Sequence, residues 1–166
     1  MSMPGFMTIM GEQQGPIEGS CDLAGREGEI ELYDFRHKVE IPRHPGSGLP
    51  VGRRVHGELM INKETDKSTP KLYKALCEGE KLTEVEIRWY RYSGSTADEN
   101  FYTVLLENAL ITRIEPKVLN RLDQPDAPFR HMEDVAFAYE KITWSWESDG
   151  IEYEDAWVDA SGEAAR

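Results

Sequence analysis

Residues 101–114, Phe-Tyr-Thr-Val-Leu-Leu-Glu-Asn-Ala-Leu-Ile-Thr-Arg-Ile, set the tightest limit on what this chain can become. Side chains alternate between the two faces of an extended strand. Tyr102, Val104, Leu106, Leu110 and Ile114 therefore share one face, and Phe101, Leu105 and Ile111 share the other. An antiparallel strand that is apolar on both faces needs cover on both. One cover is the chain's own core, and the other points to an oligomer.

The same period recurs along the chain. Val85, Ile87 and Trp89 alternate with Glu84, Glu86, Arg88 and Tyr90. Val55, Gly57, Leu59 and Ile61 alternate with His56, Glu58, Met60 and Asn62, which places His56 on an exposed polar face. Phe6–Met10 forms a short first strand ended by Gly11, and 20–26 pairs briefly. In Glu29–Val39 the apolar phase changes between Leu32 and Tyr33, as a β-bulge produces. In Met132–Trp146 it changes near Glu140-Lys141. Asp149-Gly150 is a hairpin turn, and Ile151–Trp157 closes the sheet. Residues 41–54 and 116–129, rich in proline, form long connections without regular structure. Gly46, Gly48 and Gly52 do not make a nucleotide-binding loop, because Pro50 interrupts them and a strand follows.

One stretch is helical. Ser68 and Thr69 are N-cap residues whose oxygens can accept from a free backbone N–H, and Pro70 fits the first helical position. Leu72, Ala75 and Leu76 form the apolar stripe, and Gly79 closes the last turn. The fold class is mainly β: an antiparallel β-barrel of about seven or eight strands with one short flanking α-helix. Residues 1–158 form a single domain and 159–166 a short polar tail.

The formal net charge of −12 argues against nucleic-acid binding, which needs a basic surface. The charge is uneven: from Met132 onward only Lys141 and Arg166 oppose a run of acidic residues. It reads as a solvated acidic rim, or more sharply as a face that meets a less acidic surface on another copy. No apolar run is long enough to insert in a membrane. The N-terminus has neither the basic residues nor the apolar core of a secretory signal, so the chain is expected to stay cytoplasmic unless exported by another route. Cys21 and Cys77 fit neither a disulfide framework nor a zinc site and read as buried or half-buried thiols. His37, His44, His56 and His131 are scattered, and no catalytic motif appears; no enzyme activity, metal or cofactor is expected. His131 beside Glu133 and Asp134 reads as a surface cluster. Trp144, Trp146 and Trp157 read as core or interface aromatics, together with Trp89 and Phe101. A rival reading takes the tryptophans as the platform of a monomeric carbohydrate- or ligand-binding barrel.

Four stretches carry a resemblance. They are Gly52-Arg53-Arg54-Val55-His56; Lys63-Glu64-Thr65-Asp66-Lys67-Ser68-Thr69-Pro70 followed by Leu72-Tyr73-Lys74-Ala75; Arg88-Trp89-Tyr90-Arg91; and Tyr139-Glu140-Lys141-Ile142-Thr143-Trp144 followed by Asp155-Ala156-Trp157. In order and spacing the chain resembles Hcp, the haemolysin-coregulated proteins of the bacterial type VI secretion system, from about Phe6 to Val158. The resemblance implies a homohexameric ring of β-barrel subunits. It implies rings stacked into a tube, a contractile sheath around them, a spike of the valine-glycine repeat type, and small effectors held in the lumen. It also implies a protein that is cytoplasmic before firing and then secreted. In that setting the 41–54 loop, with Arg43, His44, Pro45, Arg53 and Arg54, is expected to reach the next ring.

Overall fold

The computed structural model describes residues 3–94, 97–123 and 130–156. In chain order these hold β1 (Gly5–Gly11), β2 (Gly15–Pro16), β3 (Ile30–Arg36), β4 (Val39–Glu40), β5 (Val55–His56), β6 (Leu59–Glu64), α1 (Thr69–Glu78), β7 (Leu82–Tyr92), β8 (Asp98–Lys117), β9 (Met132–Ala138), β10 (Lys141–Trp146) and β11 (Ile151–Ala156). The expected tail, with Trp157, lies outside the described residues.

Six strands close a barrel. β8 pairs with β7, β7 with β1, β1 with β3, β3 with β6, β6 with β9, and β9 returns to β8, every pairing antiparallel. Closure leaves these strands without a free edge. β10 and β11 extend from the first half of β8 as a two-stranded flap. The expected strand count thus splits into a six-stranded barrel and additional short strands. Met7, Ile9, Ile30, Leu59, Ile61, Val85, Ile87, Val104, Leu106, Val135 and Phe137 fill the core. Each such aliphatic side chain contributes roughly 1.5–3 kcal/mol by leaving water.

β8 has two partners along one edge. Residues 102–107 face β10, and residues 110–117 face β9. The change of partner falls at Asn108, whose φ of 52° is left-handed. Asparagine tolerates this region better than most residues. Its amide donates to Glu140 Oε2 at 2.9 Å, at the opposing joint between β9 and β10. The phase of β8 slips here. Val104 and Leu106 point inward before it, and Ala109 and Ile111 after it. A second register shift between Ile111 and Arg113 turns Ile114 toward the core. This corrects the sequence reading of the strand: Ile111 is only 6% exposed, while Leu110 faces out at 43%. The outward apolar set reduces to Leu110 and the half-buried Phe101 and Leu105. The β3 bulge falls where the phase change put it, between Leu32 and Asp34.

α1 packs against β8, with Leu72 and Ala75 buried and Leu76 against the core. Gly79 ends it in the left-handed conformation, φ 65°. Its start differs from expectation. Ser68 has helical dihedrals and no side-chain cap bond. Asp66 takes over: its Oδ1 accepts the Ser68 N–H at 2.8 Å and the Ser68 hydroxyl, and its Oδ2 accepts the Ser20 N–H at 3.1 Å. Thr69 Oγ1 accepts the Asp66 N–H at 3.1 Å and donates to Glu133 Oε1 at 2.8 Å.

Beneath this turn lies a fully buried ion pair, Lys63 with Glu133. The ammonium also donates to the Glu64 carbonyl at 2.9 Å and sits 3.1 Å from Asp66 Oδ1. Burial pushes the Asp66 carboxyl up, but the bonds from Ser68 and the charge of Lys63 hold it below its ordinary value. Glu133 therefore points inward, away from any surface cluster with His131. Cys77 is exposed rather than half-buried, and Cys21 is intermediate; both are free thiols. Replacing one partner of a buried pair strands the other's charge. Lys63→Met is expected to cost about 3–5 kcal/mol by chemical denaturation, and Lys63→Met with Glu133→Leu to recover most of it. An unchanged single variant would contradict the pairing.

Candidate functional site

The 41–54 connection is an ordered hairpin, contrary to the sequence expectation. β4 pairs with β5, and Arg43 bridges to Pro50 further out. The Val51 N–H donates to the Pro42 carbonyl at 2.7 Å, the His44 N–H to Leu49 at 2.9 Å, and the Gly48 N–H to His44 at 2.9 Å. Pro42 enters the ladder only as an acceptor, and Pro50 sits in the non-hydrogen-bonded pair with Arg43, where no N–H is needed. Gly48 and Gly52 supply left-handed φ values of 69° and 83°.

This arm carries exposed aliphatic side chains: Val39, Ile41, Leu49, Val51 and Val55. Within one subunit they stay in water. Clustered apolar exposure of this kind marks an interaction surface. Arg43, His44, Pro45 and Arg53 are exposed on the arm as well.

Arg54 is held differently. Its guanidinium forms a two-pronged ion pair with Asp155 of β11, and one Nη donates to the Ala156 carbonyl at 3.1 Å. It anchors the arm to its own flap. His56, expected on an exposed face, has a side chain only 3% exposed. The alternation assumed from Val55 to Ile61 is broken. β5 stops at His56, and the Gly57 N–H turns back to the Lys38 carbonyl at 2.8 Å before β6 begins.

These residues belong to a polar chain at the hairpin root. His56 Nε2 lies 2.7 Å from Asp155 Oδ2, and a carboxylate can only accept, so Nε2–H donates. Neutral His56 then offers Nδ1 as acceptor to the Tyr139 hydroxyl at 2.6 Å. The Tyr139 oxygen accepts in turn from His37 Nε2 at 2.7 Å. The Trp144 indole lies beside both imidazoles, with ring centres 6.3 Å from His37 and 6.4 Å from His56. Tyr153 stacks on the same indole at 6.2 Å and 7°. Burial, then the Asp155 charge, raises the Tyr139 phenol well above its ordinary value. Burial, then His56, pushes His37 down. The Arg54 bond holds Asp155 low against the opposing effect of burial, and His56 adds to it.

The remaining aromatics divide. Trp89 packs edge-on against Phe35 at 4.8 Å and joins the core rim. Trp146, 38% exposed, meets Phe101 edge-on at 5.7 Å, and the Arg91 guanidinium lies near both rings. Trp144 and Trp146 thus face different surroundings. Sequence reasoning missed His37 and the joining of Tyr139 to Asp155. The signal was present in another form: Arg54, His56, Tyr139, Trp144 and Asp155 come from two of the resemblance stretches and converge at this one place.

A family described as "Type VI secretion system effector, Hcp" matches residues 6–146. The Major exported protein of Pseudomonas aeruginosa is 42% identical, over 95% of this chain and 96% of its own length. Among solved structures, the Hcp1 protein of the E. coli EAEC 042 pathovar superposes with a TM-score of 0.85 at 31% identity, covering 94% of this chain and 99% of that one. The secreted protein Hcp3 of Pseudomonas aeruginosa gives 0.77 at 35% identity, covering 95% and 100%. The fold is thus that of an exported β-barrel of a secretion machine. The chain belongs to the Hcp family of type VI secretion tube proteins.

Tyr139→Phe removes the hydroxyl shared by the half-buried His37 and the buried His56, and with it a hydrogen bond to each ring. It is expected to cost about 1–3 kcal/mol in urea unfolding. An unshifted unfolding midpoint would show that the chain contributes nothing to the fold.

Proposed function

We propose that this protein is the repeating subunit of a type VI inner tube. Six copies close into a ring, and rings stack head to tail with the 39–56 hairpin reaching from one ring to the next. The apolar arm carries this reading: an ordered hairpin whose aliphatic side chains lie in water until another body covers them. A head-to-tail interface that closes by rotation generates a ring. Leu105, Phe101 and Leu110, facing outward from β8, supply apolar surface toward a neighbouring subunit. The acidic stretch from Met132 onward, with Glu152 and Glu154 on β11, favours one polarity when it meets Arg43 of the next ring. Because Arg54 is bound within its own subunit, Arg43 is the hairpin cation assigned to stacking.

In this role the protein is made in the cytoplasm, sheathed by a contractile partner, capped by a valine-glycine repeat spike, and expelled on contraction. Small effectors ride in the lumen. Its work is structural, and no catalytic step is assigned to it. Replacing residues 42–51 by a short Asn-Gly turn keeps the root and removes the arm. This variant is expected to form rings that do not grow into tubes in negative-stain images, and to stop export of the protein. Normal tubes from the shortened chain would refute the stacking assignment.

A further inference from the structure

The chain at the hairpin root holds two histidines against one hydroxyl. The imidazole centres of His37 and His56 lie 6.5 Å apart, and each ring has a nitrogen on Tyr139 Oη. We propose that His37, Tyr139 and His56 form a pH-sensitive latch: it holds the hairpin root on the barrel while the pair carries at most one added proton, and releases it when both rings are charged.

Proton counting gives the threshold. With both rings neutral, bonds run one way, from His37 Nε2–H to Tyr139, from Tyr139 to His56 Nδ1, and from His56 Nε2–H to Asp155. One proton added to His56 reverses the inner part. His56 Nδ1–H donates to the tyrosine, and the tyrosine donates to His37 Nε2, whose proton moves to Nδ1. A second proton leaves the hydroxyl between two donors, its own hydrogen without an acceptor in the chain. It also sets two like charges side by side.

Among the described residues, the charged groups around the pair come from the arm, β11 and the joint before β10. The arm supplies Lys38 paired with Glu40, together with Arg54, and beyond His56 stands Glu58 with Arg113 and Thr112. β11 supplies Asp155 and Tyr153, and the joint before β10 supplies Tyr139 and Glu140, the latter facing Lys81 and Asn108. Asp155 offsets a charge on His56, but Arg54 already draws on that carboxylate. Among the described residues no carboxylate is bonded to His37, and burial and His56 lower its proton affinity. His37 therefore takes up its proton below its ordinary range. A depressed histidine contributes stability above its ordinary value near 6.5 that is lost as pH falls below it, through the lowered folded value. The latch opens on the acidic side of that value. It acts on the root whatever the arm touches, so it stands or falls separately from ring stacking.

Amide hydrogen exchange on the intact assembled protein tests it, with rates corrected for intrinsic chemistry. Lowering pH from about 7.5 to about 5 is expected to speed exchange at residues 38–40 and 54–57 at least tenfold while the β7 amides of 85–87 hold steady. His37→Gln, which keeps a hydrogen-bonding end but cannot charge, is expected to abolish the step. In the unsubstituted protein, exchange at the root should follow the titration of the His37 imidazole by NMR. A root that stays protected across the range would overturn the latch, as would a step that survives in His37→Gln or does not follow the His37 imidazole.

Discussion

The barrel depends on the ladder between the second half of β8 and β9, Leu110–Lys117 against Met132–Ala138. Without it the sheet would run open from β11 to β9, with β9 as a bare edge. With it β8 must serve β10 first and β9 second, and both partners share one edge of a single 20-residue strand. A flat strand cannot follow that path, because barrel walls curve and the inward phase must be reset along the way. Asn108 resets it in β8, and Tyr139–Glu140 resets it between β9 and β10. The two joints are tied to each other by the Asn108 amide and by the Glu140 N–H on the Glu107 carbonyl, 3.2 Å.

Polar clusters then fix what a greasy core would leave loose. Lys63, Asp66, Thr69 and Glu133 tie the start of α1 to β6 and β9. Glu80 does the same at the helix end: it accepts the Gln13 N–H at 2.9 Å, the Gln14 N–H at 2.8 Å and the Gln14 amide at 2.7 Å. Burial works against the Glu80 charge, yet these bonds hold its carboxyl below the ordinary value. The third cluster, from His37 to Arg54, pins the hairpin root to both barrel and flap. Each is a directional network, so each selects one geometry where aliphatic packing alone tolerates several.

Much of this was legible from alternation. The β3 bulge, the phase change between Tyr139 and Ile142, the apolar stripe of α1 and Gly79 as its stop all follow from spacing. What alternation missed were places where a backbone departs from ideal extension. Asn108 looks like an ordinary polar residue, and nothing in a period-two count marks its positive φ; Ile111 and Leu110 were therefore exchanged between core and surface. The break at Gly57 hid the burial of His56. Prolines in 41–54 signalled a loop, because a hairpin whose prolines fall where no N–H is needed cannot be told from an irregular one by composition. The polar clusters were invisible for another reason. Lys63 and Glu133, or His56 and Asp155, are far apart in sequence, and a charged residue in a strand pattern reads as surface. The family resemblance supplied indirectly what spacing could not, since its stretches contain Lys63, Arg54, His56, Tyr139 and Asp155.

The chain is therefore a self-sufficient barrel with surface left over: an apolar arm and an outward stripe on β8. Light scattering on the purified protein after size-exclusion chromatography measures most directly whether copies of the chain cover that surface. A closed ring gives a particle of about six times the 19.0 kDa chain mass. A stable 19.0 kDa monomer persisting at high concentration would contradict it.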